Sequence, residues 1–256
     1  MKRKAHQIAE DLVLRMSRWD GTEAILLGDT VDIEVSDPYF AIELDVYLRS
    51  GLPDVEMRRA LFPDAQAFES SPISTNDRFL LSALPVSIHY METAGIDRII
   101  WRIEERTWVF HEPGTRMFDR IERGEILFSR GSWIAETTSS LADLPLEFWT
   151  QVRLRAFAAA ERALSELGAA AFRSDDMFFL VSSARLLRSV VSFLFAVNRQ
   201  FEPSARMLSE RIARLPSLPD GFAGRLESFL RPEASISADS RREIAELIVR
   251  SLIPLA

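Results

Sequence analysis

Several residue types are missing or rare in this chain of 256 residues, and each absence excludes a class of site. There is no cysteine, so disulfides, thiolate nucleophiles, cysteine-rich zinc sites and iron–sulfur clusters are excluded. Lys2 and Lys4 are the only lysines, which excludes an internal Schiff-base lysine and a phosphate-loop lysine. The three histidines, His6, His89 and His111, are too dispersed to indicate a catalytic triad or a paired-histidine zinc motif.

Concentrated positive charge and long apolar runs are also lacking. The net charge is -7 and the arginines are scattered, so we expect no binding to extended nucleic acid. The longest apolar run, residues 190–197, is well short of the roughly 20 residues that cross a bilayer. Residues 5–17 show helical spacing of apolar side chains, unlike the continuous apolar segment of a signal peptide. We therefore expect a cytoplasmic protein that does not bind membranes.

The most informative stretch is residues 40–49, in which apolar and polar side chains alternate as in a β-strand. Glu43 and Asp45 fall together on the polar face of that strand. Residues 31–35 repeat the pattern with Asp32 and Glu34, and a Ser-Asp-Pro-Tyr turn separates the two runs. The sequence thus predicts neighbouring strands that bring four carboxylates onto one surface.

Two interpretations of these carboxylates stay open. Glu43 and Asp45 point the same way, which is the geometry that clamps a divalent ion, and magnesium prefers such hard oxygen ligands. The alternative is the solvated face of a sheet, which commonly carries alternating acids. His89, in a later predicted strand, is either a metal ligand or proton acceptor, or only a polar neighbour.

The character of the chain changes near residue 144. Before it, predicted short elements mix: helices at 5–17, 55–62 and 94–106, strands at 24–27, 79–84, 85–90, 108–110 and 125–128, and a loop at 68–76. After it, apolar residues recur at helical spacing between Gly, Pro and Ser breaks. The prediction is an α+β fold, with a mixed-sheet domain over residues 1–140, a helical bundle domain over residues 141–256, and a cleft between them.

Polar residues cluster after the most apolar predicted helix. Asn198, Arg199, Glu202 and Arg206 follow residues 190–197 closely. Arginines there suit a phosphate or carboxylate ligand, because the guanidinium presents a fixed fork of donors. The competing interpretation is a buried polar network that joins helices of the bundle.

Three segments carry a resemblance to a known family: residues 42–62, 76–100 and 192–208. In this order they resemble the polymerase-beta-type nucleotidyltransferase superfamily, particularly its bacterial members with an attached helical domain. In that superfamily a Gly-Ser turn follows the first strand, an acidic pair lies on the second, and a third acid lies on a later strand. The acids hold magnesium and a nucleoside triphosphate, while the helical domain helps to bind the acceptor.

The resemblance assigns roles to particular residues of this chain. Glu43 and Asp45 match the acidic pair and would hold magnesium. Gly28 and Asp29 stand at the nucleotide-binding turn, where Asp29 puts a negative charge in place of the family's serine. The third-acid position falls on residues 85–90, which offer Ser87 and His89 and no carboxylate.

The resemblance implies two possible functions. In the first, the protein transfers a nucleotidyl group from a nucleoside triphosphate to an unknown small-molecule or protein acceptor. Glu43, Asp45 and His89 would be catalytic, and Arg199 and Arg206 would neutralise phosphate. In the second, catalysis is lost and the chain serves as a nucleotidyltransferase-like binding or interaction module.

Overall fold

The structure, a computed structural model, describes residues 2–28, 40–106, 115–231 and 237–256. These residues form two compact units. The first contains the described residues up to 106 together with residues 117–144, and the second contains Thr115, Arg116 and the described residues from Pro145 onward. The predicted division into domains at residue 140 stays a prediction, as does the cleft.

The first unit mixes helices and strands in the order expected for an α+β fold. Its elements are α1 (Lys2–Met16), β1 (Thr22–Leu27), β2 (Ile42–Leu48), α2 (Val55–Ala60), β3 (Gln66–Glu69), β4 (Asn76–Leu81), β5 (Leu84–Glu92), α3 (Thr93–Glu104), α4 (Arg116–Arg123), β6 (Glu125–Ser129) and α5 (Trp133–Ala142). Within the described part of the chain the strands form one sheet of order β3-β4-β5-β2-β1-β6. β2 and β5 are parallel, whereas the other neighbouring strands are antiparallel.

One face of the sheet carries the first hydrophobic core. The alternation in residues 40–49 places the apolar side chains of β2 on this face, as predicted, and α1 covers them. α1 contributes a stripe at helical spacing that includes Ile8, Leu12 and Met16. The hydroxyl of Thr22 donates to the carbonyl oxygen of Met16 (2.8 Å), one of the last carbonyls of α1, and so joins the end of the helix to the start of β1.

The second unit contains helices and no strand among its described residues. Its elements are α6 (Leu146–Arg173), α7 (Asp176–Val197), α8 (Leu208–Ala213), α9 (Phe222–Leu230) and α10 (Ala238–Leu252), followed by a 3-10 turn at Ile253–Leu255. α6 and α7 form a helical hairpin: α6 ends at Ser174 in the left-handed conformation, and the Asp175 carboxylate accepts from the backbone of Phe178 to start α7 (2.9 Å). The predicted α+β class, with a mixed sheet followed by helices, is confirmed.

α7 is more apolar over its whole length than the run at residues 190–197 indicated. In the described part of the chain it is the one helix long and apolar enough to cross a membrane, by length and composition alone. Its side chains Leu186, Val190 and Phe193 are buried in the hydrophobic core of the second unit, to which α6 and α10 also contribute. One side of α7 is therefore covered by the other helices of this unit.

One local prediction was wrong, and two helices were not predicted. Residues 68 and 69, the first two of the predicted loop, belong to the edge strand β3, which pairs with β4, so tertiary pairing outweighs the weak local preference. Helices α4 and α5 were missed, because they are short, with eight and ten residues. The strand candidates at residues 31–35 and 108–110, with Asp32, Glu34 and His111, lie outside the described residues.

Candidate ligand site on the sheet

The polar face of β2 is buried, contrary to the solvated-face interpretation. Asp45 is 1% exposed and Tyr47 is fully buried, whereas the Glu43 side chain retains 26% exposure. The Tyr47 ring packs against Trp133 of α5, with ring centroids 5.1 Å apart. A buried carboxylate that lacks a compensating partner is costly, so this face must supply one for Asp45.

The parallel strand β5 places two polar residues beside the acids. Its register with β2 sets Ser87 next to Glu43 and His89 next to Asp45. The hydroxyl of Ser87 lies 3.4 Å from Nε2 of His89. His89 therefore lies on the acidic face, at the strand where the resemblance expects a third acid, and its catalytic role stays a prediction.

An arginine from α4 reaches both carboxylates. Arg120 donates from Nε to Oδ2 of Asp45 and from Nη1 to Oε2 of Glu43, the second contact being 3.1 Å long. Its side chain is only 9% exposed. Phe118 and Ile121 are buried and anchor the helix that presents it. The guanidinium thus lies where two carboxylates of a metal clamp would hold their ion.

Two glycines make room for this arginine. A Cβ added at Gly28 would lie 2.4 Å from Nη2 of Arg120 and 3.2 Å from Cβ of Glu43. A Cβ added at Gly124 would lie 2.5 Å from the carbonyl oxygen of Arg120, where α4 ends. Such distances are far inside van der Waals contact, so both positions require glycine for this packing.

The charges at this site act on one another at close range. Burial alone would lower the pKa of Arg120, but the charge and hydrogen bond of Asp45, supported by Glu43, outweigh burial and raise it. Burial, with the charge of Asp45, raises the pKa of Tyr47. In the described residues neither Nη2 of Arg120 nor the Tyr47 hydroxyl has a hydrogen-bond partner. Arg120 is therefore a permanent cation, and its Nη2 is a donor nitrogen that remains unused.

Magnesium, which the resemblance implies, does not fit the residues as they stand. Both candidate ligands, Glu43 and Asp45, are engaged by Arg120. Within the described ranges no group of three or more His, Asp or Glu side chains is placed to hold a metal. Magnesium prefers six oxygen ligands at about 2.0–2.1 Å, and a guanidinium bound between the two carboxylates blocks that arrangement.

The remaining predicted site residues divide between the two units. Gly28 follows β1, and its backbone amide donates to the carbonyl oxygen of Glu43 (2.8 Å). Asp29 lies outside the described residues. Arg199 and Arg206 are exposed side chains of the second unit. Their proposed contact with a nucleotide stays a prediction.

For Asn198 and Glu202 the structure shows the polar-network interpretation. The Asn198 side chain donates to the carbonyl oxygen of Ser217 and accepts from its amide, both at 2.8 Å. Glu202 is 8% exposed and accepts from the hydroxyl of Ser192 (2.7 Å). Its backbone amide donates to the hydroxyl of Thr115 (2.9 Å). Together these contacts join α7 to the segments around it.

Arg120 is the residue of this site that sequence reasoning missed. Phe118 and Ile121 have helical spacing, and Gly124 is a typical helix stop, so a short helix was detectable. The pairing of Arg120 with Glu43 and Asp45 was not detectable, because no local sequence pattern links positions so far apart. Only the burial of Asp45, which the structure shows, calls for a basic partner.

Comparison with known proteins finds similarity among solved structures. No family model matches this chain, and neither does any curated protein. Among solved structures the chain is similar to a nucleotidyltransferase-like protein from Exiguobacterium sibiricum, with a TM-score of 0.48 and 15% identity. The similarity covers 97% of this chain and 76% of that one.

Proposed function

We propose that this chain is a nucleotidyltransferase-like binding module, which binds a nucleoside triphosphate and does not transfer its nucleotidyl group. The observation that carries the proposal is the bridging of Glu43 and Asp45 by Arg120. The arginine supplies a fixed positive charge at the position where transfer chemistry needs a metal. The cytoplasmic location expected from the sequence belongs to the same proposal.

Nucleotidyl transfer depends on what a divalent ion does to the phosphates. The ion coordinates phosphate oxygens, lowers the pKa of the attacking hydroxyl and stabilises charge on the leaving group. A guanidinium can neutralise charge and donate hydrogen bonds, but it offers no open coordination position. The position of the third acid, held by Ser87 and His89, adds no carboxylate to compensate. Binding without turnover is the outcome that this residue set supports.

Calorimetric titration with each of the four ribonucleoside triphosphates, run beside an assay for pyrophosphate release, tests the proposal. We expect at least one of the four to give a saturable binding heat. We expect pyrophosphate to be released no faster than in the absence of the protein. Pyrophosphate release that Asp45→Asn abolishes would establish the rival function, a nucleotidyltransferase. The absence of binding to any of the four would contradict the binding proposal itself.

A further inference from the structure

We propose that Arg120 is a built-in cation that replaces a divalent metal between Glu43 and Asp45, so that the chain takes its phosphate ligand in the metal-free form. The statement about the ligand rests on the proposed function. The statement about the cation does not, because it concerns only the protein's own side chains.

The first support is the fit of the guanidinium to the acids. Glu43 and Asp45 project from the same face of β2, two residues apart, and present two carboxylates in one direction. Nε and Nη1 of Arg120 each donate to a different carboxylate. The rigid fork of an arginine spans such a pair, which a single lysine ammonium would do less well. One cation therefore satisfies both acids.

The second support is the space that the chain reserves for this side chain. Gly28 lies against Nη2 so closely that any Cβ there would displace the guanidinium. Under the resemblance, Gly28 belonged to a turn that approaches a phosphate. The contact with Arg120 provides a different reason for glycine at this position, because the guanidinium occupies the volume that a Cβ would take.

The third support is the unused donor. Nη2 of Arg120 is buried and has no hydrogen-bond partner in the described residues. A buried donor without an acceptor destabilises the protein, so this arm of the guanidinium favours an anionic oxygen. Phosphate oxygens are acceptors that arginine binds strongly. A free phosphate ester, whose oxygens are not already coordinated by magnesium, supplies this acceptor best.

Manganese binding followed by electron paramagnetic resonance tests the cation. We expect the wild-type protein to leave manganese free in solution, and Arg120→Ala to bind it with an affinity higher by about tenfold or more, since two carboxylates are released. Adding Asp45→Asn to Arg120→Ala should abolish the gain. Arg98→Ala is the control, because Arg98 is an exposed arginine of α3 in the same unit.

Arg120→Ala also leaves two carboxylates without their cation, so its folding is measured as well. If the variant is unfolded without metal, we expect manganese to restore its circular dichroism and a cooperative thermal transition. A folded variant without manganese binding, or an unfolded one that manganese does not restore, would overturn the proposal. Manganese bound by the wild-type protein and lost in Asp45→Asn would do the same.

The form of the ligand needs a separate titration. With the triphosphate that binds, we expect EDTA to leave the affinity of the wild-type protein within about twofold, or to increase it, because Arg120 already supplies the cation. A loss of affinity by about tenfold in EDTA would overturn the metal-free ligand. If no triphosphate binds at all, the proposed function fails, whereas the manganese experiment still decides the role of Arg120.

Discussion

Arg120 donates from its Nε to a carboxylate oxygen of Asp45, although 75 positions separate the two residues in the chain. The pair brings a strand and a helix of the first unit together around a buried charge. The charged groups that stabilise this face of the sheet are also the residues of the candidate ligand site. Changes to these groups should therefore affect both stability and ligand binding.

Replacing Arg120 by Met should lower the free energy of unfolding by about 3–5 kcal/mol at pH 7, because it leaves buried Asp45 without its cation. The loss should shrink as the pH falls through the carboxyl range, since protonation then removes the repulsion between Glu43 and Asp45. Urea unfolding at several pH values measures both effects. The control Arg98→Met, at an exposed position of α3, should change stability by less than about 0.5 kcal/mol. An equal loss in both variants would contradict a special role for Arg120.

Replacing Gly28 by Ala should destabilise the protein by about 1–3 kcal/mol, because the added Cβ overlaps Nη2 of Arg120. Gly95→Ala is the matched control. A Cβ at Gly95 meets nothing within 4 Å, and the residue lies in α3, so the change should be neutral or stabilising by up to about 1 kcal/mol. Thermal unfolding of the two variants checks the contrast, and identical transitions would contradict it.

Replacing Arg58 by Met should cost about 3–5 kcal/mol, since it leaves Asp77 as an uncompensated buried charge. Arg58 and Asp77 are both fully buried and joined at 2.7 Å, and the Tyr90 hydroxyl donates to the second carboxylate oxygen at 2.9 Å. Arg78→Met, on the same strand as Asp77 but exposed, should change stability by less than about 0.5 kcal/mol. Urea unfolding distinguishes these outcomes, and a small effect of Arg58→Met would show that Asp77 does not depend on Arg58 for its buried charge.

Replacing Glu202 by Gln should change how stability depends on pH. Burial raises the pKa of Glu202, and the hydrogen bond from Ser192 and the charge of Arg188 offset only part of this. The folded protein therefore holds this proton to a higher pH than the unfolded chain does. The contribution of Glu202 to the free energy of unfolding therefore falls as the pH rises from about 4.5, the ordinary pKa of this carboxyl, through its raised pKa in the folded protein.

Glu202→Gln lacks this titration, so its stability relative to the wild-type protein should increase over that pH range. Unfolding at several pH values between about 4 and 8 measures the difference. Glu227→Gln, with an exposed carboxylate that pairs with Arg231, is the control and should show no such trend. A constant difference between Glu202→Gln and the wild-type protein would show that burial does not raise this pKa.

The strand pattern of the candidate site could be predicted from the sequence, whereas its counter-ion could not. Alternation with period two fixed which side of β2 carries Glu43 and Asp45, because successive side chains must point to opposite faces. The same alternation cannot tell whether a polar face is solvated or covered. That depends on α4, an eight-residue helix whose position is set by long-range packing.

The helical part shows the same limit. Apolar spacing predicted the long helices, since each needs one face to bury. It left the roles of Asn198 and Glu202 open, because their partners Ser217 and Thr115 come from segments outside the predicted helices. Hydrogen bonds between distant segments leave no period in the sequence.

A crystal of the protein soaked with a nucleoside triphosphate and manganese tests whether Arg120 occupies the place of the metal. The anomalous signal of manganese locates the ion independently of any assignment of roles. We expect Arg120 to remain between Glu43 and Asp45, and no manganese to lie between these carboxylates. Manganese coordinated by both carboxylates, with the guanidinium displaced and the triphosphate on the ion, would contradict it.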